Sequence, residues 1–540
     1  MSGIDFHNYE ALSPFEIKDE LIRLARASSE KTAAAFLNAG RGNPNWIATT
    51  PREAFFLLGQ FALTESTRVM SEPGLGGMPE KHGIADRYRT WMTAHAAMPG
   101  AATLQRILAY AVDTLEFDAD AFVHELVDSI IGDNYPVPDR MLPHAEVVVR
   151  RYLDWAMCSD QPPAGKFELY AVEGGTAAMC YIFKSLQANR LLNKGDTIAI
   201  ATPIFTPYIE IAQLEDYQLD AVYINTEQED QYQFTDADIA QLEDPKIKAF
   251  FLVNPGNPTS MALSPESNAK LVQLVKTKRP DLIVLTDDVY GTFVKGFRSL
   301  MADLPQNTIG VYSFSKYFGC TGWRLGVIAI HENNILDDML AKLPADKLAA
   351  LDRRYGTLTL EPRKLRMIDR IVADSRDVAL NHTAGLSLPQ QVMMTLFSLV
   401  ELLDTAKDYQ ARCMNIVMRR ARACREGLGI EVQSTPLFAR YYGEIDFEFW
   451  LRKYIGEDVV TWMKANIHPL DIVFRLAEDH GIVLLNGSGF KGPDWSCRVS
   501  FANLNDDAYE NIGRAVRSVA RSYVQTFRAS QGLSPQPKPD

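Results

Sequence analysis

Apolar residues recur at helical spacing from position 13 to 38 (Ile17, Leu21, Leu24, Phe36, Leu37), and the run stops at Gly40-Arg41-Gly42-Asn43-Pro44-Asn45. That spacing predicts a helix closed by a strained turn. From about 52 to 160 the pattern stays mainly helical, interrupted at Glu72-Pro73-Gly74-Leu75-Gly76-Gly77 and at Tyr135-Pro136-Val137-Pro138. Between about 166 and 330 the period changes. Short β-rich runs at 167–172, 197–201, 249–253, 282–286, 308–314 and 326–330 alternate with helical segments. Such alternation predicts a mostly parallel sheet covered by helices on both faces. A charged helical stretch follows at about 332–385, then helices at 388–427, strands around 482–485 and 497–501, and a closing helix at 506–527. The Pro-rich end predicts a disordered tail over 528–540.

With 540 residues, a prior of roughly 150 residues per domain allows three or four domains' worth of material. The 55 Lys+Arg against 68 Asp+Glu leave a net charge of −13, which argues against a phosphate-backbone footprint and so against a nucleic-acid partner, while leaving room for a local anion pocket. The cysteines (158, 180, 320, 413, 424, 497) form no CxxC pair and no zinc spacing, so no metal is expected and a reduced cytoplasmic setting fits. The first residues lack a basic region followed by an apolar one, and no run approaches a membrane span, so no membrane association is expected.

Several loops after predicted strands carry chemistry. Gly487-Ser488-Gly489-Phe490-Lys491-Gly492 matches GxGxxG, but it leads into another strand rather than the helix that a dinucleotide site needs. Glu173-Gly174-Gly175-Thr176 instead follows a strand and opens a helix, so free amides, a helix dipole and the Thr176 hydroxyl would converge on a dianion. Ser313-Phe314-Ser315-Lys316 ends another strand, with Arg324 eight residues beyond Lys316. A lysine just past an apolar strand is desolvated and becomes a usable amine nucleophile. Asn254-Pro255-Gly256-Asn257-Pro258-Thr259 and Thr286-Asp287-Asp288-Val289-Tyr290 also follow strands. Ligand sites in open α/β sheets lie beyond the carboxyl ends of strands, so these loops should meet on one edge. A lysine, an acid and phosphate donors suit pyridoxal 5'-phosphate.

The ordered set GGT, NPxNPT, DxxY and SxSK with its later arginine, followed by a late RVSFA strand, resembles the fold-type I, class I/II aminotransferases. The chain's length and its helical insertions near 75–165, 335–385 and 440–470 are similar to the aspartate 4-decarboxylases of that superfamily. This likeness implies a large domain with a mostly parallel, seven-stranded sheet plus a smaller α+β domain. The implied partition is an amino-terminal arm and part of the small domain (1–60), a helical insertion and interface segment (61–165), the cofactor domain (166–390), the small domain (391–527) and the tail (528–540).

By the same resemblance Lys316 would carry the cofactor as an imine, Asp287 would face the ring nitrogen, and Asn257 and Tyr290 the ring hydroxyl. Gly175, Thr176, Ser313 and Arg324 would hold phosphate, and Phe205 would stack on the ring. Tyr135 would reach the phosphate of a neighbouring subunit, which implies a homodimer with shared sites inside a larger homo-oligomer. Arg498 would clamp the substrate α-carboxylate. Arg41, with Lys18, would handle the distal carboxylate. The sequence departs from the family's NPxNPTG at Ser260. The implied reaction takes L-aspartate through a ketimine to L-alanine and carbon dioxide, with aspartate aminotransferase activity, dependent on keto acids, on the side. A pure aminotransferase shares every cofactor residue. A non-enzymatic cofactor-binding regulator is disfavoured because no DNA-binding motif or basic arm is evident. Singly, each residue has a blander reading: Asp287 or Asp288 as a solvated cap, Tyr290 as packing, Arg498 as a surface ion-pair partner, and Arg41 and Lys18 as complements to helix dipoles.

Overall fold

A computed structural model describes residues 5–10, 12–32, 35–70, 72–431 and 435–534. After a short first strand, β1 (Leu37–Asn38), the chain builds a seven-stranded sheet from β2 (Phe167–Val172), β3 (Thr197–Thr202), β4 (Asp220–Asn225), β5 (Ile247–Val253), β6 (Ile283–Asp287), β7 (Thr308–Ser313) and β8 (Gly326–His331), in the order β2-β8-β7-β6-β5-β3-β4. β8 runs antiparallel to both of its neighbours and every other pairing is parallel. Apart from the edge strand β4, the strands are apolar almost throughout because both faces are buried. In β7, Ile309 and Val311 enter one core while Tyr312, with Phe314 just beyond the strand, enters the other. Helices Gly175–Ala188 and Pro265–Thr277 are among those that cover the sheet.

A smaller unit holds β9 (Tyr442–Asp446), β10 (Ile482–Val483), β11 (Leu485–Asn486) and β12 (Ser496–Ser500). The order β11-β12-β9 is antiparallel, and β1 pairs with β10 in parallel. A third core joins helices of 49–131 to Val392, Leu396 and Leu399, so the helix Leu388–Leu403 packs with the insertion although its sequence position falls across the expected start of the small domain.

The structure departs from the periodicity in several places. The helix expected over 13–38 is Pro14–Thr32, and Leu37–Asn38 is extended instead. Its backbone is recruited by a remote strand: Leu37 N–H donates to Gly481 O (3.0 Å) and Ala39 N–H to Val483 O (3.0 Å). Residues 440–470, expected to be helical, open with β9 because five residues there pair with β12. β4 was not expected. It is the edge of the sheet and its side chains are mostly half-buried or exposed, so it carries no apolar run. The last helix extends to Ser530, past 527, and the tail's residues 535–540 lie outside the described residues.

Candidate active site

Because β2, β5, β6 and β7 point the same way, their carboxyl ends share one edge, and the amino end of the reversed β8 meets them there. This arrangement positions the chemistry. Asp287 ends β6 and Ser313 ends β7, with Lys316 three residues on; Asn257 follows β5, Gly175 opens the helix after β2, and Arg324 precedes β8. A cavity of about 260 Å³ lies at this edge. It is lined by Gly175, Thr176, Phe205, Asn257, Asp287, Tyr290, Ser313, Lys316, Arg324 and Arg498.

One end of the cavity is dry. Asp287 is buried; its Oδ2 accepts from Tyr208 Oη–H at 2.6 Å and its Oδ1 from Val289 N–H at 3.2 Å. Burial pushes its carboxyl above the ordinary range, while those two donors pull against the rise. A hydrogen bond to a charged acceptor contributes about 1.5–3 kcal/mol. Asp288 is not a solvated cap: it is fully buried, receives Thr286 Oγ1 (2.7 Å) and Ser299 Oγ (2.5 Å), and is pushed up by burial to about 7. Tyr290 Oη meets Tyr442 Oη at 3.2 Å, and burial raises the Tyr290 hydroxyl well above its ordinary value.

Arg498, from β12, is 1% exposed, so it is no surface ion-pair partner. Its Nη1 donates to Asn257 Oδ1 (3.0 Å) and its Nη2 to Gly40 O (2.9 Å), its face lies on the Tyr442 ring (4.2 Å), and its Nε has no partner. Burial pushes the guanidinium down. A buried cation without a carboxylate at hand is a receptor for an anion, because leaving such a charge unpaired is costly. Lys316 Nζ donates to Gly42 O at 3.2 Å.

The other end is open. Thr176 and Arg324 are exposed. Gly174 sits at φ 87°, and a Cβ there would meet the Arg324 guanidinium, so only glycine lets the guanidinium close over the amino end of the helix Gly175–Ala188. That helix end, the hydroxyls of Thr176, Ser313 and Ser315, and Arg324 make an anion cradle. With an amine at Lys316 and a buried acid at Asp287, the donor set fits a phosphorylated pyridine aldehyde.

Three expected residues lie elsewhere. Arg41 is exposed and does not line the cavity, although its neighbours Gly42 and Asn43 do. Lys18 is half-buried, three residues beyond Phe15, which lines the cavity while Lys18 does not. Tyr135 is 66% exposed, its ring edge against His382. Sequence reasoning missed Phe15, Tyr208, Ser315 and Tyr442. Tyr208 stands three residues after Phe205, a spacing that brings side chains onto one helical face; nothing local marks Tyr442. A larger cleft of about 380 Å³, between residues 228–232 and 424–453, contains none of the expected residues, which gather in the smaller cavity. Among the described residues no group of His, Cys, Asp and Glu is suited to hold a metal ion, and no helix is long and apolar enough to cross a membrane.

Known proteins agree with this edge. The family described as aminotransferase class I and II matches residues 172–355. A Pseudomonas protein named bifunctional aspartate aminotransferase and L-aspartate beta-decarboxylase is 47% identical over 97% of this chain and 99% of its own length. An aspartate aminotransferase of Sulfurisphaera tokodaii is 25% identical over 60% of this chain and 69% of its own. A Thermus thermophilus aspartate aminotransferase double mutant superposes with a TM-score of 0.58 at 14% identity, covering 96% of this chain and all (100%) of that one, which is a likeness of fold. The whole-length relative, the family match across the cofactor edge and the shared fold together make the chain a member of the pyridoxal-phosphate-dependent class I and II aminotransferase family.

Proposed function

We propose that this chain removes the β-carboxyl group of L-aspartate, giving L-alanine and carbon dioxide, with aspartate transamination as a side reaction. The observation that carries the reading is the 47% identity to the Pseudomonas protein, because it runs through the insertions as well as the cofactor edge. Bound pyridoxal phosphate supplies a carbonyl for imine formation and a ring that accepts electron pairs released at the substrate's α- and β-carbons.

The chain's own residues do the rest. Lys316 would hold the group through its Nζ and, with the substrate bound in its place, that free amine would take the α-proton. Asp287, supported by Tyr208, keeps a proton on the ring nitrogen. Asn257 and Tyr290 hydrogen-bond the ring hydroxyl, and Phe205 covers the ring. Gly175, Thr176, Ser313 and Arg324 hold the phosphate, with Tyr135 of a neighbouring subunit completing it in a homodimer that joins a larger cytoplasmic assembly. Arg498, buried and with no carboxylate beside it among the described residues, clamps the α-carboxylate. Arg41, assisted by Lys18, orients the distal carboxylate. A keto acid restores the cofactor after each transamination.

The test is product analysis. Aspartate should yield alanine and carbon dioxide without added keto acid, and borohydride reduction followed by peptide mapping should label Lys316. Amino transfer alone, dependent on a keto acid, would replace this reading with that of a plain aminotransferase; label on another lysine would overturn the site.

A further inference from the structure

Ser260 is where this chain departs from the glycine of its family's turn, and the departure has a structural cost. Ser260 lies at φ 56°, a left-handed conformation that a side chain rarely adopts. It is fully buried, and its backbone is used at both ends: its N–H donates to Gly256 O (2.8 Å) and its O accepts from Ala439 N–H (2.8 Å). The side chain has one partner. Its Oγ accepts the backbone N–H of Tyr442 at 2.8 Å. A hydroxyl retained in a strained, solvent-free position against one amide points to that amide's residue.

Tyr442 is a cavity residue. It is 2% exposed, its ring lies under the Arg498 guanidinium, and its hydroxyl meets that of Tyr290. A Cβ on Gly42 would fall 2.8 Å from Tyr442 Oη and 3.3 Å from Lys316 Nζ, so the hydroxyl and the amine face one small volume that glycine keeps open. Tyr442 Oη thus borders the volume between Arg498 and Lys316 in which a substrate held by those two residues would sit.

We propose that Tyr442 is a catalytic acid that delivers the proton to the β-carbon after carbon dioxide leaves, and that Ser260 is its positioning residue. This rests on the β-decarboxylase reading. The bond between the β-carbon and its carboxyl carbon breaks, its electron pair stays with the substrate, and carbon dioxide departs. The Tyr442 O–H bond then breaks as a new Cβ–H bond forms. The phenolate left behind is held by the Arg498 guanidinium against its ring and by the Tyr290 hydroxyl, and it regains a proton from solvent as the product leaves. The net reaction takes up one proton from water, as the conversion of aspartate to alanine requires.

The test uses the full-length enzyme with Tyr442→Phe, Ser260→Ala and Ser260→Gly, cofactor-loaded for measuring alanine and transamination in the same samples and cofactor-free for thermal unfolding. Tyr442→Phe should lower alanine formation at least thirtyfold more than it lowers transamination, while calorimetric affinity for succinate changes less than threefold. Ser260→Gly relieves the left-handed strain, so thermal unfolding of the cofactor-free chain should occur at the same or higher temperature even though the alanine-to-transamination ratio falls severalfold. Ser260→Ala should lower the ratio as Ser260→Gly does. Equal losses in the two products for Tyr442→Phe, or alanine formation within threefold of the parent, would overturn the assignment. A parent enzyme that makes no alanine would remove the β-decarboxylase reading itself, which the parent assay reports separately from the variants.

Discussion

The buried end of the cavity, around Asp287, and its open end, around Arg324, are built from the same sheet edge but differ in how far the chain completes them. At the first, Asp287, Tyr208, Tyr290 and Arg498 are all buried and partnered by neighbouring groups. At the second, Thr176 and Arg324 are exposed on the surface of the single chain. A dry site strengthens each electrostatic contact and fixes charge without help. An open one leaves Thr176 and Arg324 facing water, although Ser313 and Ser315 beside them are buried. The contrast separates residues whose effect should be intrinsic to one chain from those whose effect should depend on assembly.

The largest effect is expected at the dry end. Asp287→Ala should keep bound cofactor, through Lys316 and the phosphate cradle, yet lose turnover by on the order of 10²–10³, the size found when one preorganised electrostatic partner is removed. Because burial raises the Asp287 carboxyl, it ionises at higher pH than an ordinary aspartate when no cofactor is present. Cofactor binding through the ionised acid should therefore strengthen as pH rises through that raised value, and the variant should lose this part of the pH dependence. Titrating cofactor affinity against pH in parent and variant checks both; near-normal turnover with a normal spectrum would remove Asp287 from its role.

The same contrast explains what the sequence revealed. Lys316, Asp287, Asn257 and Ser313 stand at or just past the ends of apolar strands, so local pattern locates them and the parallel sheet brings them together. The edge strand β4 and the five-residue β9 were hidden because their pairing partners, not their periodicity, make them strands. Tyr442 was hidden with β9. Leu37–Asn38 looked helical for the same reason, since its hydrogen bonds go to residues more than 400 positions away in sequence. Arg41 could be tied to the site by resemblance, but a loop cation's direction is set by tertiary contacts that no spacing encodes.

At the open end, Tyr135→Phe should weaken cofactor retention by roughly ten- to hundredfold, the equivalent of about 1.5–3 kcal/mol for one hydrogen bond to a charged group. If the hydroxyl acts across a subunit boundary, the effect follows the neighbour. Mixing an inactive Lys316→Ala chain with a Tyr135→Phe chain should then recover activity in hybrids, where some sites have both intact residues. Verified hybrids that recover nothing, or a fully active Tyr135→Phe enzyme, would mean that the exposed phosphate end is completed by something other than Tyr135.

The smallest effect is expected at Arg41, which belongs to neither end. It is exposed, while the adjacent Gly42 offers its carbonyl to both Lys316 Nζ (3.2 Å) and Tyr441 Oη (2.9 Å), so the backbone is anchored while the side chain faces solvent. A distal carboxylate must be oriented but cannot be strongly stabilised as an anion if its bond is to break, because only interactions that favour the transition state raise the rate. A solvent-facing arginine meets that requirement better than a buried one, since its attraction is weakened by water. Arg41→Ala should therefore leave cofactor affinity unaltered, raise the aspartate concentration needed for half-maximal rate by roughly three- to tenfold, about 0.7–1.4 kcal/mol at 1.4 kcal/mol per decade, and shift the ratio of alanine to transamination. Both products measured from one purified variant decide the matter. An unchanged ratio together with an unchanged aspartate dependence would make Arg41 a solvated loop cation and pass the distal carboxylate to Lys18 or to a neighbouring subunit.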